Sequence, residues 1–242
     1  MQELLFYIAL PLTAFLYASV GHGGASGYLA LMALFSFAPE EMRPTALVLN
    51  LFVAGVSFIQ FARQGHFQWK LFLTFAILSI PASFLGGLLH IDPQWYKIIL
   101  GGFLLIATAR MLGAFRTEKQ AERNMSLPIG LMIGAGIGFF SGLIGLGGGI
   151  ILSPVILLLG WGNTKQAAAT SALFIWVNSA AGLMGQWSSG VTFTDELWLF
   201  VCLAIIGGFA GAYLGSNILN DQKLRFVLGF VLVLASIKLI FL

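Results

Sequence analysis

The amino-acid sequence predicts an all-helical, multi-pass membrane protein made of two related halves, and three observations carry that expectation. Hydrophobic residues form 59% of the 242 and charged residues only 9%, with a mean hydropathy of +0.95. A soluble domain carries about a quarter charged residues, so too few remain here to coat a surface in water. The charges are also bunched, leaving no Asp, Glu, Lys or Arg between Glu3 and Glu40 or between Arg123 and Lys165. Finally, a glycine cluster sits inside each of those two long apolar stretches.

The elements follow in chain order. A bilayer-crossing helix needs roughly 20 apolar residues, and backbone within lipid must satisfy its own hydrogen bonds, so each apolar run is read as helix. The first half holds a long glycine-interrupted segment, Leu4–Phe37, then spans at about 44–62, 70–90 and 95–115. Arg116–Met125, with Arg116, Glu118, Lys119, Glu122 and Arg123, is the one plainly soluble linker. The second half repeats the plan with Leu127–Trp161, then about 167–186, 196–218 and 223–242. Residues 1–115 are thus expected to form a first transmembrane repeat, 116–125 a cytoplasmic linker and 126–242 a second repeat. Trp69, Trp95, Trp187 and Trp198 fall near span ends, where an aromatic belt belongs; Trp161 and Trp176 do not fit that pattern. Met1-Gln2-Glu3 lacks the basic start of a cleavable signal peptide, so the first segment is expected to stay in the mature protein.

Self-comparison supports the two halves. Gly21-His22-Gly23-Gly24-Ala25 reappears as Gly145-Leu146-Gly147-Gly148-Gly149. Beyond it, Thr45 matches Thr170, Gly65 matches Gly190, Gly86 matches Gly215, Gly101 matches Gly229, Lys97 matches Arg225 and Arg110 matches Lys238. Each interrupted segment either crosses once as a tilted helix or folds back as a helical hairpin. Cytoplasmic loops carry the excess of Lys and Arg. Hairpins place Arg63, Lys70, Arg110, Arg116, Lys119, Arg123, Lys165, Lys223 and Arg225 on one side, leaving only Arg43, Lys97 and Lys238 on the other. A single crossing spreads the same residues more evenly. The hairpin is therefore favoured, each half crosses an odd number of times, and the second half is inverted relative to the first. Both termini are expected to be extracytoplasmic, in a multi-pass cell (inner) membrane protein. Inverted repeats with broken helices are a recurring plan of secondary transporters, which hold substrate at the repeat interface near the bilayer midplane.

Chemistry is expected at the glycine breaks. Glycine lets backbone N–H groups approach a ligand and adopt positive φ. A helix starting at about Ser26 or Ile150 would offer unpaired N–H groups and the positive end of its dipole, an anion site without a buried formal charge. The competing reading is that the glycines only permit tight turns and close packing. Polar neighbours are Ser19, His22, Ser26, Ser141 and Ser153, with Thr45, Asn50, Thr170, Ser171, Asn178 and Ser179 on the following spans. The candidate substrate-binding set is Gly23, Gly24, Ser26, Asn50, Gly147, Gly148, Gly149, Thr170, Ser171 and Asn178. His22 either carries a coupling proton or caps the hairpin. Arg43 and Lys165, each about 20 residues beyond its break, either attract anions to opposite entrances or are ordinary loop charges.

Other classes find less support. Cys202 stands alone and offers no redox pair. Three scattered histidines, His22, His66 and His90, make no metal site, and no cofactor is expected. No basic patch with interleaved aromatics suggests nucleic acid. Asp92, Asp195 and Asp221 lie at loop boundaries, leaving neither an intramembrane carboxylate pair for an enzyme nor buried carboxylates for a cation carrier.

The run Gly142-Leu-Ile-Gly-Leu-Gly-Gly-Gly-Ile-Ile-Leu-Ser-Pro154, followed by Ala168-Ala-Thr-Ser171, resembles the signature of the sulfite exporter TauE/SafE family, also called the toluene sulfonate uptake permease family. Gly21-His-Gly-Gly-Ala-Ser-Gly27 is similar to that family's first repeat, and the resemblance spans essentially the whole chain. It implies a transporter of small inorganic or organosulfur anions such as sulfite, thiosulfate, sulfonates or sulfoacetate. An anion channel and a non-transporting membrane assembly factor are the alternatives.

Overall fold

The computed structural model describes residues 2–19, 22–111, 124–191, 193–217 and 237. Gly21, the core of the expected linker and, apart from Ile237, the expected last span, 223–242, lie outside them. The described residues hold nine helices and no strand: α1 (Gln2–Ser19), α2 (Ala25–Leu34), α3 (Pro39–Arg63), α4 (Trp69–Leu88), α5 (Pro93–Met111), α6 (Leu127–Ile144), α7 (Gly149–Leu159), α8 (Thr164–Ser188) and α9 (Leu197–Asn217). Five of these are long and apolar enough to cross a membrane, those in α3, α4, α6, α8 and α9. The chain is a multi-pass helical membrane protein. Trp69, Trp95, Trp187 and Trp198 are all strongly exposed near helix ends, as a belt requires.

Both glycine-interrupted segments double back. Phe6, near the start of α1, packs on Phe35 and Phe37 beyond the end of α2, with ring centroids 5.4 and 5.1 Å apart. On one continuous helix, Phe6 and Phe37 would be about 46 Å apart at 1.5 Å per residue. In the second segment, a Cβ on Gly130, in the first turn of α6, would meet the Trp161 ring beyond α7 at 3.3 Å. Trp161, unexplained by the belt, thus closes the α6–α7 hairpin and leans on Phe75 of α4 at 5.7 Å.

The packing around the two hairpins repeats at a sequence spacing of 124–125 positions. Phe6 and Phe37 meet Phe200 of α9 at 4.9 and 6.1 Å; their counterparts along the chain are Gly130, Trp161 and Phe75, which form the second cluster. A Cβ on Gly86 would strike the Phe139 carbonyl of α6, and one on Gly211 the Phe15 carbonyl of α1. Packing therefore pairs Gly86 with Gly211, one helical turn before the Gly215 that sequence comparison paired with it.

Three helix pairs meet at backbone contact, one of them α4 with α8, where Gly87 lies against the Gly182 carbonyl and Gly185 against the Phe84 carbonyl. Gly134, Gly138 and Gly142 of α6 lie against the carbonyls of Phe75, Ser79 and Ser83 on α4. Gly207 and Gly211 of α9 lie in the same way on Pro11 and Phe15 of α1. Small residues let helix backbones approach closely where lipid supplies no hydrophobic drive between helices. Between these pairs α3 and α8 cross antiparallel: Leu47 lies near Gly182, while Phe61 packs with Ala168 and Ala169.

Candidate functional site

The two breaks are built alike. Gly24 is the N-cap of α2 with φ 98°, and Gly148 the N-cap of α7 with φ 78°. A side chain in this left-handed region costs roughly 1–2 kcal/mol, so glycine fits both corners. No side chain caps either helix. The positive dipole ends of both helices therefore face the interior without a capping side chain at the N-cap residue.

Both breaks converge on the crossing of α3 and α8. A Cβ on Gly23 would lie 2.8 Å from Asn50 Oδ1 and 3.0 Å from both Ala54 Cβ and Ile175 Cγ2. A Cβ on Gly147 would lie 2.5 Å from Asn50 Nδ2, 2.8 Å from Ile175 Cγ2 and 3.2 Å from Ser179 Oγ. Gly149 also packs on Ile175 and near the Ser171 carbonyl. The Asn50 side chain is fully buried; Nδ2 donates to Ser179 Oγ at 3.3 Å, while Oδ1 has no partner. An unmatched buried amide oxygen costs about 1–3 kcal/mol.

A hydrogen-bonded chain enters from the first break. His22 Nε2 lies 3.1 Å from Ser153 Oγ on α7, which lies 2.7 Å from Ser171 Oγ on α8. Ser26 instead donates to the Tyr17 hydroxyl at 2.8 Å, and Tyr28 packs under Gly24.

The remaining expected site residues are dispersed. Asn178 is buried; its Nδ2 donates to Phe174 O on its own helix, its backbone carbonyl accepts from Ser83 on α4, and its Oδ1, like that of Asn50, has no partner. Thr170 and Thr45 are buried with unpartnered hydroxyls. Gly148 faces Ile137 and Phe174 rather than Asn50. Arg43 donates to Leu89 O at 3.3 Å and lays its backbone against Gly145, beside the second break. Lys165 is exposed in the first turn of α8, its N–H held by the Asn163 capping box. Arg43 and Lys165 thus occupy unlike settings. Ile175, Tyr17 and Tyr28 are wall residues that sequence reasoning passed over; a tyrosine inside an apolar stretch is the signal that could have found two of them.

The sequence model of the family described as sulfite exporter TauE/SafE matches residues 6–239. The chain belongs to the sulfite exporter TauE/SafE family. It is 40% identical over 239 residues to the probable membrane transporter protein y4hK of Sinorhizobium fredii, covering 96% of each chain. It is 30% identical over 228 residues to the probable membrane transporter protein ORF9 of a Sinorhizobium species, covering 90% of this chain and 85% of that protein. It is also 25% identical to the Bacillus subtilis probable membrane transporter protein YunE, over 84% of this chain and 81% of the other. No solved structure matches this TauE/SafE chain. In this family member the run 145–148 is the turn between α6 and α7, Gly149 opens α7, and the Ala168–Ser171 run is the part of α8 that meets Ser153 through Ser171.

Proposed function

We propose that this chain is a secondary transporter for small sulfur-containing anions, of the sulfite, thiosulfate, sulfonate or sulfoacetate class. The substrate is held between the two breaks, near the bilayer midplane, at the interface of two inverted repeats, residues 1–115 and 126–242. The observation that carries this reading is the convergence of Gly23 and Gly147 on one buried amide, Asn50, beneath two helix N-termini without side-chain caps. Partial positive charge from both helices would hold an anion without the roughly 2.5–3.5 kcal/mol insertion cost of a lysine or arginine at a helix centre. Turned over, the Asn50 amide would accept from Ser179 and aim an N–H at the anion. Inversion is supported by the antiparallel crossing of α3 and α8 and by packing that recurs in both halves. Asn50 and Ile175 fill the space between the breaks, so substrate enters only when the halves part there.

Counterflow of labelled sulfite and of a labelled sulfonate in proteoliposomes tests the reading. Wild-type protein should exchange at least one of them, with acceleration by substrate on the far side; flux without such acceleration indicates a channel, and no flux an assembly role. Gly23→Ala adds a Cβ beside Asn50 without left-handed strain and should lose anion binding, whereas Gly102→Ala, with open space around it, should keep it. Wild-type binding in well-folded Gly23→Ala protein overturns the proposed site.

A further inference from the structure

Tyr17, Tyr28 and Tyr96 are the largest fully buried side chains among the described residues. Two of the three hydroxyls are engaged: Tyr17 accepts from Ser26 Oγ at 2.8 Å, and Tyr96 donates to Ile144 O at 3.1 Å. The Tyr28 hydroxyl has no hydrogen-bond partner. Burying a phenol O–H unbonded costs stability, and a phenylalanine would fill the same space without that cost. Packing therefore accounts for the ring and not for the oxygen.

Some smaller hydroxyls share the condition, those of Thr45, Ser57, Ser141 and Thr170. Each of these can turn about a single bond toward a carbonyl of its own helix one turn back. A phenol has no such recourse, because its oxygen stands at the far end of a rigid ring. Its partner has to come from outside α2.

The backbone brings that oxygen to the first break. Tyr28 is the fourth residue of α2, and helical side chains lean toward the N-terminus of their own helix. Its N–H donates to Gly24 O at 2.9 Å, and its Cζ and Oη each lie 2.7 Å from where a Cβ on Gly24 would stand. The hydroxyl thus lies beneath the N-cap residue, at the positive end of the α2 dipole and one residue from Gly23, which faces Asn50. Four residues past the N-cap of α7 stands Leu152, so the second break has a hydrocarbon at the same spacing.

We propose that Tyr28 is a substrate-binding residue whose O–H donates to an oxygen of the bound anion at the start of α2, so that the anion leans on the first hairpin instead of sitting evenly between the two. The inference rests on the transport reading above. A sulfite or sulfonate head carries three oxygens, so one can take the phenol while the others meet backbone N–H groups and the Asn50 amide. A neutral O–H suits the place, since it binds negative charge without setting a cation within the bilayer.

Titration calorimetry with sulfite and with methanesulfonate on purified protein tests it, beside thermal unfolding of the unliganded forms. Tyr28→Phe should weaken binding of whichever anion the wild-type protein takes by at least about tenfold, the low end for a hydrogen bond to a charged group. It should melt no lower than wild type, because the bond it loses is not made in the unliganded protein. Tyr96→Phe calibrates the melting, since removing a bond that is made should lower it. Where Tyr28→Phe fails to fold, the near-ultraviolet difference spectrum of wild-type protein on adding that anion decides: a phenol that begins to donate to an anion absorbs at longer wavelength, and the lack of a red-shifted tyrosine band overturns the inference. Wild-type affinity in folded Tyr28→Phe, or a loss of affinity with a drop in melting as large as that of Tyr96→Phe, overturns it as well and leaves the transport reading standing. Absence of binding of either anion to wild-type protein overturns the transport reading and this inference with it.

Discussion

Asn50 and Ile175 occupy equivalent places in α3 and α8, each one residue short of the middle of a 25-residue helix, and both lie against both breaks. The equivalence is geometric and not chemical. Helix α3 contributes an amide there and α8 a branched hydrocarbon, with the Ser179 hydroxyl of α8 as the amide's partner.

That difference separates two asparagines that look alike in the sequence. Asn50→Ala should weaken anion binding by roughly the 0.5–1.5 kcal/mol of one hydrogen bond, rising to about 3 where the partner is charged. Asn178→Ala should do less, since that amide is engaged with Phe174 O on its own helix. Titration calorimetry on the two purified variants checks the order, and an equal or reversed effect would remove Asn50 from the site.

Stability should follow the glycines that touch backbone. Gly138→Ala drives a methyl group into the Ser79 carbonyl and should cost about 1–3 kcal/mol as overpacking. Gly136→Ala, two residues away with nothing within 4 Å, should be neutral or gain from helix propensity. Thermal unfolding in detergent separates them; equal melting would mean that α4 and α6 are not in backbone contact.

Helix α8 begins on a complete capping box, in which Asn163 accepts from the Lys165 and Gln166 N–H groups and Gln166 answers to Asn163 N–H. Asn163→Ala should cost about 0.5–2 kcal/mol and Asn163→Gly only a few tenths. The same melting assay reads the difference, and a neutral alanine variant would show that the cap is dispensable.

Topology is expected from charge placement. In a Cys202→Ala background, Gly190→Cys should be labelled by an impermeant thiol reagent in intact cells and Lys119→Cys should not. The converse pattern would invert the proposed orientation.

Much of the architecture was legible in the residues. The charge-free runs mark the helices because lipid tolerates little else, and the glycine clusters mark the hairpin tips because Gly24 and Gly148 need left-handed backbone. The site was legible only in part. Sequence spacing could not show that the Asn50 side chain faces the breaks while that of Asn178 bonds back to its own helix, because the face a buried helix presents is set by its neighbours. Ile175 went unnoticed for a related reason: a wall residue carries no polar signal. The one-turn difference between Gly211 and Gly215 arose because glycine is frequent enough in α9 to offer more than one match.

The glycine-to-carbonyl seams have a mechanical consequence. Each hairpin is fused at backbone level to a helix distant in the chain, α1 to α9 and α6 to α4, with no side chain between them to act as a bearing. Displacing the first hairpin therefore drags α9, and displacing the second drags α4. Helix α4 is locked in the same way to α8, so displacing the second hairpin carries α4 and α8 with it.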